Sequence, residues 1–504
     1  MLKRRTFLAS AASVAALPAM PGVVAVAVAQ EDGTLAVAVV SDPVTLDPAL
    51  MASFFEIAVQ YNIFEPLIHI TPELEVEPGL ASVETPDDTT YVLTLREGLT
   101  FHDGTPVDAE AVKANFDRML DPATGSPRAS ELGPIEAVEV TGPLEVTITL
   151  SVPYSPLLQV LSNRAGMMVS PTAVEELGQD FGNQAVGAGP YRVASWTKNS
   201  ELVLEAFPDY WRGEPAIKRV VFRPIPDETV RLTNLRSGTV QLADGLPPQA
   251  LSQVTSTPGI ELKQSPGLGF SAFSFNTTQP PFDDARVRRA FAMATDPTVI
   301  VQAAYFGAAT PSFGPIPPSM PWAWDPDLTA PRNDVAGARA LLEEAGVTTP
   351  VPVEITVTNS PIFVRIAEIL QAQANQAGFD ASINQIDATS LITVLRERTF
   401  DLCMSPWSGR TDPDGNMYNY FTIGGPNNFP GWENEEVDGL LEQARTETTQ
   451  EARAALYQQA QEIIVEETPL LFVAFPMTLQ ASVEGLDWVQ YPDGALRLQL
   501  ATFE

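Results

Sequence analysis

The C-terminal half of the sequence alternates segments of two different hydrophobic periods. Residues 353–358 (VEITVT), 381–386 (ASINQI) and 400–405 (FDLCMS) have the length and composition of buried strands. Between them, residues 363–377 and 391–398 repeat apolar side chains at helical spacing. Strands that alternate with helices predict βαβ units, in which helices cover a mostly parallel sheet. This pattern therefore assigns the chain to the α/β class.

Two capping signals predict helix ends in this half of the chain. Asp334 is predicted to cap a helix that runs to Ala345 and ends at Gly346. Thr448 and Glu451 have the spacing of a capping box, in which each side chain bonds to the backbone of the other residue. They predict the start of a long helix that continues through residue 465.

The first half of the sequence is richer in strand signals. A buried strand is predicted at 35–40, an alternating strand at 91–95, and three further strands between residues 187 and 226. The period becomes helical at 283–306, directly after Pro280 and Pro281, which interrupt regular structure. The chain is therefore predicted to cross from one domain to another at this proline pair.

Residues 1–29 have the layout of a secretory signal, with a basic start, an Ala/Val-rich run and small residues at its end. Arg4 and Arg5 begin the string RRTFL, which resembles the twin-arginine motif of proteins exported already folded across the bacterial inner membrane. The alternative is an ordinary signal with two arginines in its basic region. The only cysteine is Cys403, so neither a disulfide nor a lipid anchor near the signal is predicted. These features favour a freely diffusing periplasmic protein.

Length and charge narrow the function classes. A chain of 504 residues is too long for one hydrophobic core and predicts two to four domains. The formal net charge is -34, from 63 acidic and 29 basic residues, so nucleic acid would be repelled over most of the surface. Beyond the signal, no apolar run is long enough to span a bilayer. The mature chain is therefore expected to be soluble and not to bind nucleic acid.

The stretch WSGRTDPDGN, residues 407–416, begins two residues after the strand predicted at 400–405. Ligands of open α/β sheets bind outside the carboxyl ends of strands, so this stretch occupies a candidate ligand position. A calcium loop would need glycine sixth and glutamate twelfth, whereas Gly415 is fourth from Asp412 and no such glutamate follows. His69 and His102 are 33 positions apart with no cysteine near either, so no zinc site and no cofactor are predicted.

Signals of catalysis are weak. No G-x-S-x-G string occurs, and only two histidines could act as a base beside a nucleophile. Asp412 and Asp414 could in principle act as a glycosidase pair, with Trp407 stacking on a sugar. Aspartates two positions apart in an Asp-Pro-Asp-Gly turn more often bond to the local backbone, so the turn is favoured.

Five segments in a fixed order carry a family resemblance. They are EPGLASVETPDDTTYVLTLREGLTFHDGTPVDAEAVKANFDRML, GAGPYRVASW, DYWRG, FNTTQPPFDDARVRRAFAMATD and FDLCMSPWSGRTDPDG. Over nearly the whole mature length the chain resembles the family 5 extracellular solute-binding proteins, the peptide, dipeptide and nickel receptors of ABC importers. The resemblance implies a periplasmic-binding-protein-like fold of type II. In this fold two lobes close over a ligand as a Venus flytrap, and this family adds an extra domain.

The resemblance also implies a division of the chain. Lobe I would comprise residues 30–70, 186–282 and 474–504, the extra domain 71–185, and lobe II 283–473. The crossings at Pro280-Pro281 and at 474–476 would then be hinges.

The same resemblance implies a ligand site. In peptide-binding relatives, the tryptophan after the lobe II strand lies near the ligand, and an aspartate three residues later pairs with the peptide's amino terminus. Here Trp407 is retained, but the third residue after it is Arg410, whose guanidinium suits a carboxylate or another anion. Asp412 would supply the ammonium partner or pair with Arg410. The candidate ligand-binding residues are Trp407, Ser408, Gly409, Arg410, Thr411 and Asp412, with Asn276 and Phe54 added by resemblance.

These observations favour a receptor without enzymatic activity, which captures a short peptide or another small carboxylate-bearing solute and delivers it to the permease of an ABC transporter. The protein is predicted to be a monomer without a cofactor or a metal. Nickel is not favoured, because the family's nickel receptors rely on a histidine in lobe II and neither histidine lies there. A sugar or oligosaccharide receptor is the alternative within binding proteins, since tryptophan stacks on sugars. An exported hydrolase using Asp412 and Asp414 is the alternative from another class.

Overall fold

The computed structural model describes residues 33–51 and 56–504. The predicted signal at 1–29 and the candidate site residue Phe54 lie outside these residues. Among the residues described, no helix is both long enough and apolar enough to cross a membrane.

Strands and helices follow one another along the described chain. In chain order the strands are β1 Thr34–Val39, β2 Ile68–Ile70, β3 Val76–Pro78, β4 Ala81–Asp87, β5 Thr90–Leu95, β6 Ile135–Gly142, β7 Glu145–Leu150, β8 Tyr191–Thr197, β9 Glu201–Ala206, β10 Arg219–Pro224, β11 Leu242–Ala243, β12 Ile260–Pro266, β13 Ser271–Phe275, β14 Ala309–Pro311, β15 Val351–Thr358, β16 Phe379–Ile386, β17 Leu402–Met404, β18 Leu470–Val483, β19 Leu486–Asp487 and β20 Thr502–Phe503. The α-helices are α1 Ile57–Ile63, α2 Ala109–Leu120, α3 Leu157–Leu161, α4 Pro171–Leu177, α5 Glu228–Arg236, α6 Leu251–Thr255, α7 Ala285–Ala294, α8 Pro297–Ala304, α9 Val335–Ala345, α10 Pro361–Ala377, α11 Leu391–Glu397, α12 Asp414–Phe421, α13 Glu435–Thr446 and α14 Gln450–Glu467.

One mixed sheet runs through two halves that share strand β18. The first half contains β8, β9, β10, β1 and β11, and the second contains β13, β17, β15 and β16. The N-terminal part of β18 pairs with β13, and its C-terminal part pairs with β11 and β12. A single strand therefore ties the two half-sheets together.

The predicted βαβ units are present in the second half-sheet. Strand β15 pairs in parallel with both β16 and β17, and helices α10 and α11 connect these strands. Strands β13 and β18, which come from distant parts of the chain, pair antiparallel. The sheet is therefore mixed, because the strands that cross from the other half enter it in the opposite direction.

Both faces of the first half-sheet are covered. In β1, Leu35, Val37 and Val39 belong to one buried cluster, whereas Ala36 and Ala38 belong to another. Successive side chains of a strand point to opposite faces, so β1 is buried on both sides. This explains why residues 35–40 are an uninterrupted apolar run instead of an alternating one.

Residues 81–150 contain a separate antiparallel sheet in the order β4-β5-β7-β6, with helix α2 packed on it. Leu93, Phe116 and Ile148 are fully buried in its core. Asp108 begins α2 by accepting a hydrogen bond from the backbone N–H of Ala111. This unit lies within residues 71–185, the range predicted for the extra domain.

The first crossing between the half-sheets lies earlier than the proline pair predicts. Strand β12 pairs with β18 in the first half, whereas β13 pairs with β17 in the second. The chain therefore crosses at 267–270, and Pro280 and Pro281 come later, before helix α7. The proline pair does interrupt regular structure, but β13 has only five residues, all buried, and its sequence does not indicate which sheet it joins. The second crossing lies in β18, whose partner changes from β14 at Pro476 to β12 at Met477.

The capping predictions have different outcomes. Asp334 is confirmed as the cap of α9, accepting from the N–H of Gly337, and Gly346 ends the helix with φ +71°. The capping box at Thr448 and Glu451 is wrong. Thr449 precedes the first helical residue of α14 and its side chain makes no capping bond. The Glu447 carboxylate instead accepts from the N–H and Oγ1 of Thr449.

His102 joins the 81–150 unit to the segment at 187–189. Its Nε2 donates to the Gly189 carbonyl at 2.9 Å, and its Nδ1 accepts from the Gly187 N–H at 3.3 Å. The ring also packs edge-on against Phe207, with the ring centroids 5.0 Å apart. These contacts fit the neutral imidazole, and burial lowers the pKa of His102 from 6.5 to about 4.

A pH dependence of stability follows from this histidine. Between about pH 6.5 and pH 4 the unfolded chain binds a proton at His102 that the folded protein does not, so this part of the stability is present above pH 6.5 and is lost as the pH falls. The loss is at most about 3 kcal/mol. Urea unfolding at pH 7.5 and pH 4.5 should show a larger decrease for the wild type than for His102→Gln. Equal decreases in the two proteins would contradict this role.

Candidate ligand-binding site

The stretch 407–416 follows β17, an interior strand of the second half-sheet, and leads into helix α12. Trp407 follows β17 and makes an isolated backbone bridge with Phe270, with N–H to O distances of 2.9 and 3.0 Å. Phe270 lies in the 267–270 crossing. The predicted loop is therefore attached directly to the segment that links the two half-sheets.

Two glycines allow this attachment. Gly409 has φ +81°, and a Cβ on it would lie 2.2 Å from the carbonyl carbon and oxygen of Leu268. A Cβ on Gly415 would lie 2.4 Å from Cγ of Arg410. No larger residue fits either position without displacing its neighbour. The first glycine permits close approach of two backbones, and the second leaves room for the arginine side chain.

Asn416 holds the tryptophan and the arginine of this loop. Its Oδ1 accepts from Trp407 Nε1 and from the N–H of Arg410, each at 3.0 Å. Its Nδ2 donates to the carbonyls of Leu268 and Pro315 at 2.9 and 3.2 Å. The side chain is fully buried. Asn416 is thus a positioning residue that connects the loop to the 267–270 crossing.

Asp412 and Asp414 are both paired with arginines from later helices. Asp412 receives Nη1 and Nη2 of Arg453 at 3.0 and 2.7 Å, and Asp414 receives Nε and Nη2 of Arg445 at 2.8 and 3.2 Å. Asp412 Oδ1 also accepts from the N–H of Asp414, as the turn interpretation predicts. Burial raises the pKa of Asp414, and Arg445 opposes this shift. The suggested pairing of Asp412 with Arg410 is wrong, because Arg453 holds this carboxylate.

A small cavity of about 150 Å³ lies between the 407–415 loop and residues 128–164. Arg410 faces it, with its guanidinium carbon 4.4 Å from the centroid of the Trp407 ring and Nη2 at 3.6 Å from Oε1 of Glu131. Arg128 binds the same carboxylate more closely, with Nη1 at 2.7 and 2.6 Å from its two oxygens. Arg164 also lines the cavity and donates through Nε to Gln60 at 3.1 Å.

Positive charge is concentrated around this cavity. Burial lowers the pKa of Arg164 to about 10, and Arg128 and Arg410 add to the shift by repulsion. Burial also lowers the pKa of Arg128, which Glu131 and, more weakly, Glu56 oppose. The described lining residues carry four guanidinium groups and four carboxylates. Arg453 and Arg497, which do not line the cavity, pair with Asp412 and Asp493. Guanidinium groups therefore outnumber carboxylates in this set of residues.

A larger cavity of about 660 Å³ adjoins the small one. Trp407, Ser408, Leu268 and Ile57 line both. The rest of its lining comes from both half-sheets and is mainly apolar, with Leu246 and Leu479 on one side and Ile362 on the other. Its volume lies in the range of small-molecule pockets, whereas the small cavity alone has room for one end of a ligand.

The structure brings most of the predicted site residues together. Trp407, Ser408, Gly409, Arg410, Thr411 and Asp412 line the small cavity. Asn276 does not line either cavity. It is fully buried, and its Nδ2 donates to the carbonyls of Arg398 and Phe400 at 2.9 and 3.0 Å.

The sequence gives no indication of several residues at this site. Arg128, Glu131 and Arg164 lie about 250 to 280 positions before Arg410, and no spacing rule connects them. Arg128 and Arg164 are unusual because they are buried arginines in a strongly acidic chain. Their burial is visible only in the structure. Within residues 33–51 and 56–504, no group of three or more His, Cys, Asp or Glu side chains is arranged to hold a metal ion.

Two half-sheets tied by crossing strands, with cavities where they meet, define a type II periplasmic-binding-protein fold. Two solved structures share it at 25% identity and TM-score 0.83. The ABC transporter-associated periplasmic binding protein DppA from Helicobacter pylori, in complex with peptide STSA, is matched over 94% of this chain and 98% of that one. The dipeptide binding protein from Pseudoalteromonas sp. SM9913, in complex with Met-Leu, is matched over 94% and 100%.

Residues 75–429 match the bacterial extracellular solute-binding proteins, family 5 Middle. The glutathione-binding protein GsiB of Salmonella paratyphi A is 31% identical over 509 aligned positions, which cover 96% of this chain and 95% of that protein. The chain belongs to the family 5 extracellular solute-binding proteins, and the family resemblance of its sequence is confirmed. This is a family of binding proteins, not of enzymes.

The buried pair of Asp412 and Arg453 is expected to stabilise the loop. Asp412→Asn leaves the Arg453 guanidinium buried without its counter-charge and should lower the free energy of unfolding by about 3 to 5 kcal/mol. Asp117→Asn is the matched control, because its ion pair with Lys113 is exposed and should be worth less than about 1 kcal/mol. Urea unfolding of the two variants measures both. Similar losses would show that Asp412 is not a structural anchor.

Proposed function

We propose that this protein is the periplasmic receptor of an ABC importer for a short peptide or another small carboxylate-bearing solute. The ligand lies in the cavities between the half-sheets, with a carboxylate at Arg410. The observation that carries the proposal is the concentration of guanidinium groups around the small cavity of a protein whose net charge is -34. Two of them, Arg128 and Arg410, share the single carboxylate of Glu131, at 2.6 and 3.6 Å.

Guanidinium chemistry supports an anionic ligand group. A guanidinium presents parallel N–H donors that match the two oxygens of a carboxylate, and such charged hydrogen bonds are stronger than neutral ones. Arg410 stacks on Trp407 and is held through its backbone by Asn416, so its orientation is set before the ligand arrives. Glu131 approaches the Arg410 guanidinium only to 3.6 Å, so this group keeps N–H donors for the ligand carboxylate.

The relatives support the same ligand class. GsiB is a glutathione-binding protein, DppA is in complex with the peptide STSA, and the Pseudoalteromonas protein is in complex with the dipeptide Met-Leu. All three ligands are peptides or peptide derivatives with free carboxylates. A neutral sugar does not account for the cationic lining of the small cavity, and the double pairing of Asp412 and Asp414 with arginines does not favour a hydrolase.

Capture by closure is part of the proposal. The lobes and the extra domain are divided as the family resemblance implies, except that the first hinge lies at 267–270 instead of at Pro280-Pro281. The second hinge lies in β18 near Pro476. The ligand contacts both lobes only when they are closed, so binding favours the closed state that docks on the permease. Export by the twin-arginine signal at Arg4 and Arg5 delivers the protein as a free periplasmic monomer.

Arg410→Ala tests the charge of the ligand. It should weaken the binding of a carboxylate ligand by about 2 to 5 kcal/mol, which is about 30-fold or more in Kd, and change the binding of a neutral oligosaccharide much less. Native mass spectrometry of the purified protein identifies a co-purified ligand, and calorimetry measures its affinity. The exposed Arg396→Ala of the same lobe is the control. A neutral co-purified ligand, or a carboxylate ligand that Arg410→Ala binds unchanged, would overturn the proposal.

Small-angle X-ray scattering tests the closure. The radius of gyration should fall when the identified ligand is added to the wild type, because the lobes close around it. At a concentration that saturates only the wild type, Arg410→Ala should keep the larger radius. No compaction at saturation would contradict closure on the ligand.

A further inference from the structure

Asp244 faces the larger cavity from the first half-sheet. It follows strand β11, and its backbone N–H donates to the Ala38 carbonyl at 2.9 Å. Among the described residues that line this cavity, Asp244 is the one charged side chain. The remaining lining is apolar, apart from groups such as the Tyr305 and Ser408 hydroxyls. This carboxylate therefore differs in kind from everything else around the cavity.

The carboxylate of Asp244 is held by neutral donors. Its Oδ1 accepts from Nε2 of Gln480 at 2.9 Å, and the N–H of Gly245 also stabilises the charge. Gln480 is fully buried, and its Oε1 accepts from Gln490 at 3.0 Å. Both polar atoms of the Gln480 amide are therefore hydrogen-bonded, which sets its orientation. Its bond to Asp244 in turn orients the carboxylate at the cavity.

No cation in the described part of the chain forms an ion pair with Asp244. The charge that acts on it is that of Arg231. The guanidinium of Arg231 donates instead to backbone carbonyls, at 3.0 Å to Pro226 and 2.6 Å to Gly245. It does not come within 4 Å of the carboxylate, unlike the partners of Asp412, Asp414 and Asp493.

Asp244 is half-buried beside an apolar cavity, and a carboxylate that is partly removed from water without a counter-ion costs free energy. Burial accordingly raises the pKa of Asp244. The fold does not need this charge, since an asparagine would accept the same bond from Gln480. A cationic group of the ligand would supply the missing counter-charge.

We propose that Asp244 binds the ammonium group of a zwitterionic ligand, whose apolar body fills the larger cavity and whose carboxylate reaches Arg410 past Trp407. This inference rests on the proposed function for the carboxylate end and adds the other end. The ligand class is then a short peptide or similar amino acid derivative with a free amine, a free carboxylate and apolar side chains. Its amine points to the first half-sheet and its carboxylate to the loop of the second.

Three synthetic probes test the two ends separately: Leu-Leu, N-acetyl-Leu-Leu and Leu-Leu amide. The acetyl group removes the ammonium, and the amide removes the carboxylate, while the apolar body stays the same. Calorimetry with the wild type should give the tightest binding for Leu-Leu and a loss of about 30-fold or more for each blocked form. Apolar side chains should also matter, so Gly-Gly should bind more weakly than Leu-Leu.

Asp244→Asn assigns the ammonium to this residue. The variant should bind Leu-Leu about as weakly as the wild type binds N-acetyl-Leu-Leu, and should no longer distinguish these two probes. It should still prefer Leu-Leu to its amide, whereas Arg410→Ala should show the reverse pattern. Asp487→Asn, an exposed change in the same half-sheet region, is the control and should behave as the wild type. The thermal unfolding temperature of Asp244→Asn should not fall, because the variant can keep the bond from Gln480 and removes a half-buried charge that has no ion pair.

Two outcomes overturn the inference without touching the proposed function. In the first, the wild type binds N-acetyl-Leu-Leu as tightly as Leu-Leu but binds Leu-Leu amide more weakly. The ammonium then makes no charged contact with the protein. An Asp244→Asn protein that still rejects the acetylated probe would place the ammonium at another residue. If the wild type bound none of the probes and co-purified with a neutral compound, the proposed function would fail and this inference with it.

Discussion

The pairing of one strand with both half-sheets determines how the rest of this molecule is arranged. β18 is hydrogen-bonded to β13 at one end and to β11 and β12 at the other, so the two half-sheets share backbone bonds as well as a linker. The 267–270 segment runs beside it and pairs with Trp407. The two cavities lie around these crossings, where the side chains of both halves approach each other. The shape of these cavities therefore depends on the relative position of the two half-sheets.

Charge is organised at two levels around these cavities. Asp412, Asp414 and Asp493 are each neutralised by a dedicated arginine, and these buried pairs give the walls a defined shape. Arg128 and Arg410 share the single carboxylate of Glu131 and are not paired one to one in the same way. The pairs of Asp412 and Asp414 hold the 407–416 loop, whereas the sharing of Glu131 leaves two guanidinium groups with one carboxylate. The two groups would not be distinguishable by residue type alone.

Local chemistry explains what could be predicted from the sequence. The βαβ units, the cap at Asp334 and the end at Gly346 depend on residues close together in the chain. The failed capping box shows the limit of this approach, since the helix begins at Gln450, one residue later than a cap at Thr448 predicts, and Thr449 is bonded to Glu447. The crossing at 267–270 and the cluster of Arg128, Glu131 and Arg410 depend on contacts between distant segments. No pattern within one segment encodes such contacts, although the family resemblance indicated the loop at 407–412.

The hydrogen bond between Gln480 and Asp244 connects the larger cavity to strand β18. Gln480 belongs to β18, a few residues beyond the point where this strand leaves the second half-sheet. The Asp244 carboxylate is therefore connected, through the side-chain amide of Gln480, to the strand that both half-sheets share. Trp407 is likewise bonded to the other crossing segment. A molecule bound to both Asp244 and Trp407 would be connected through them to both segments that cross between the half-sheets.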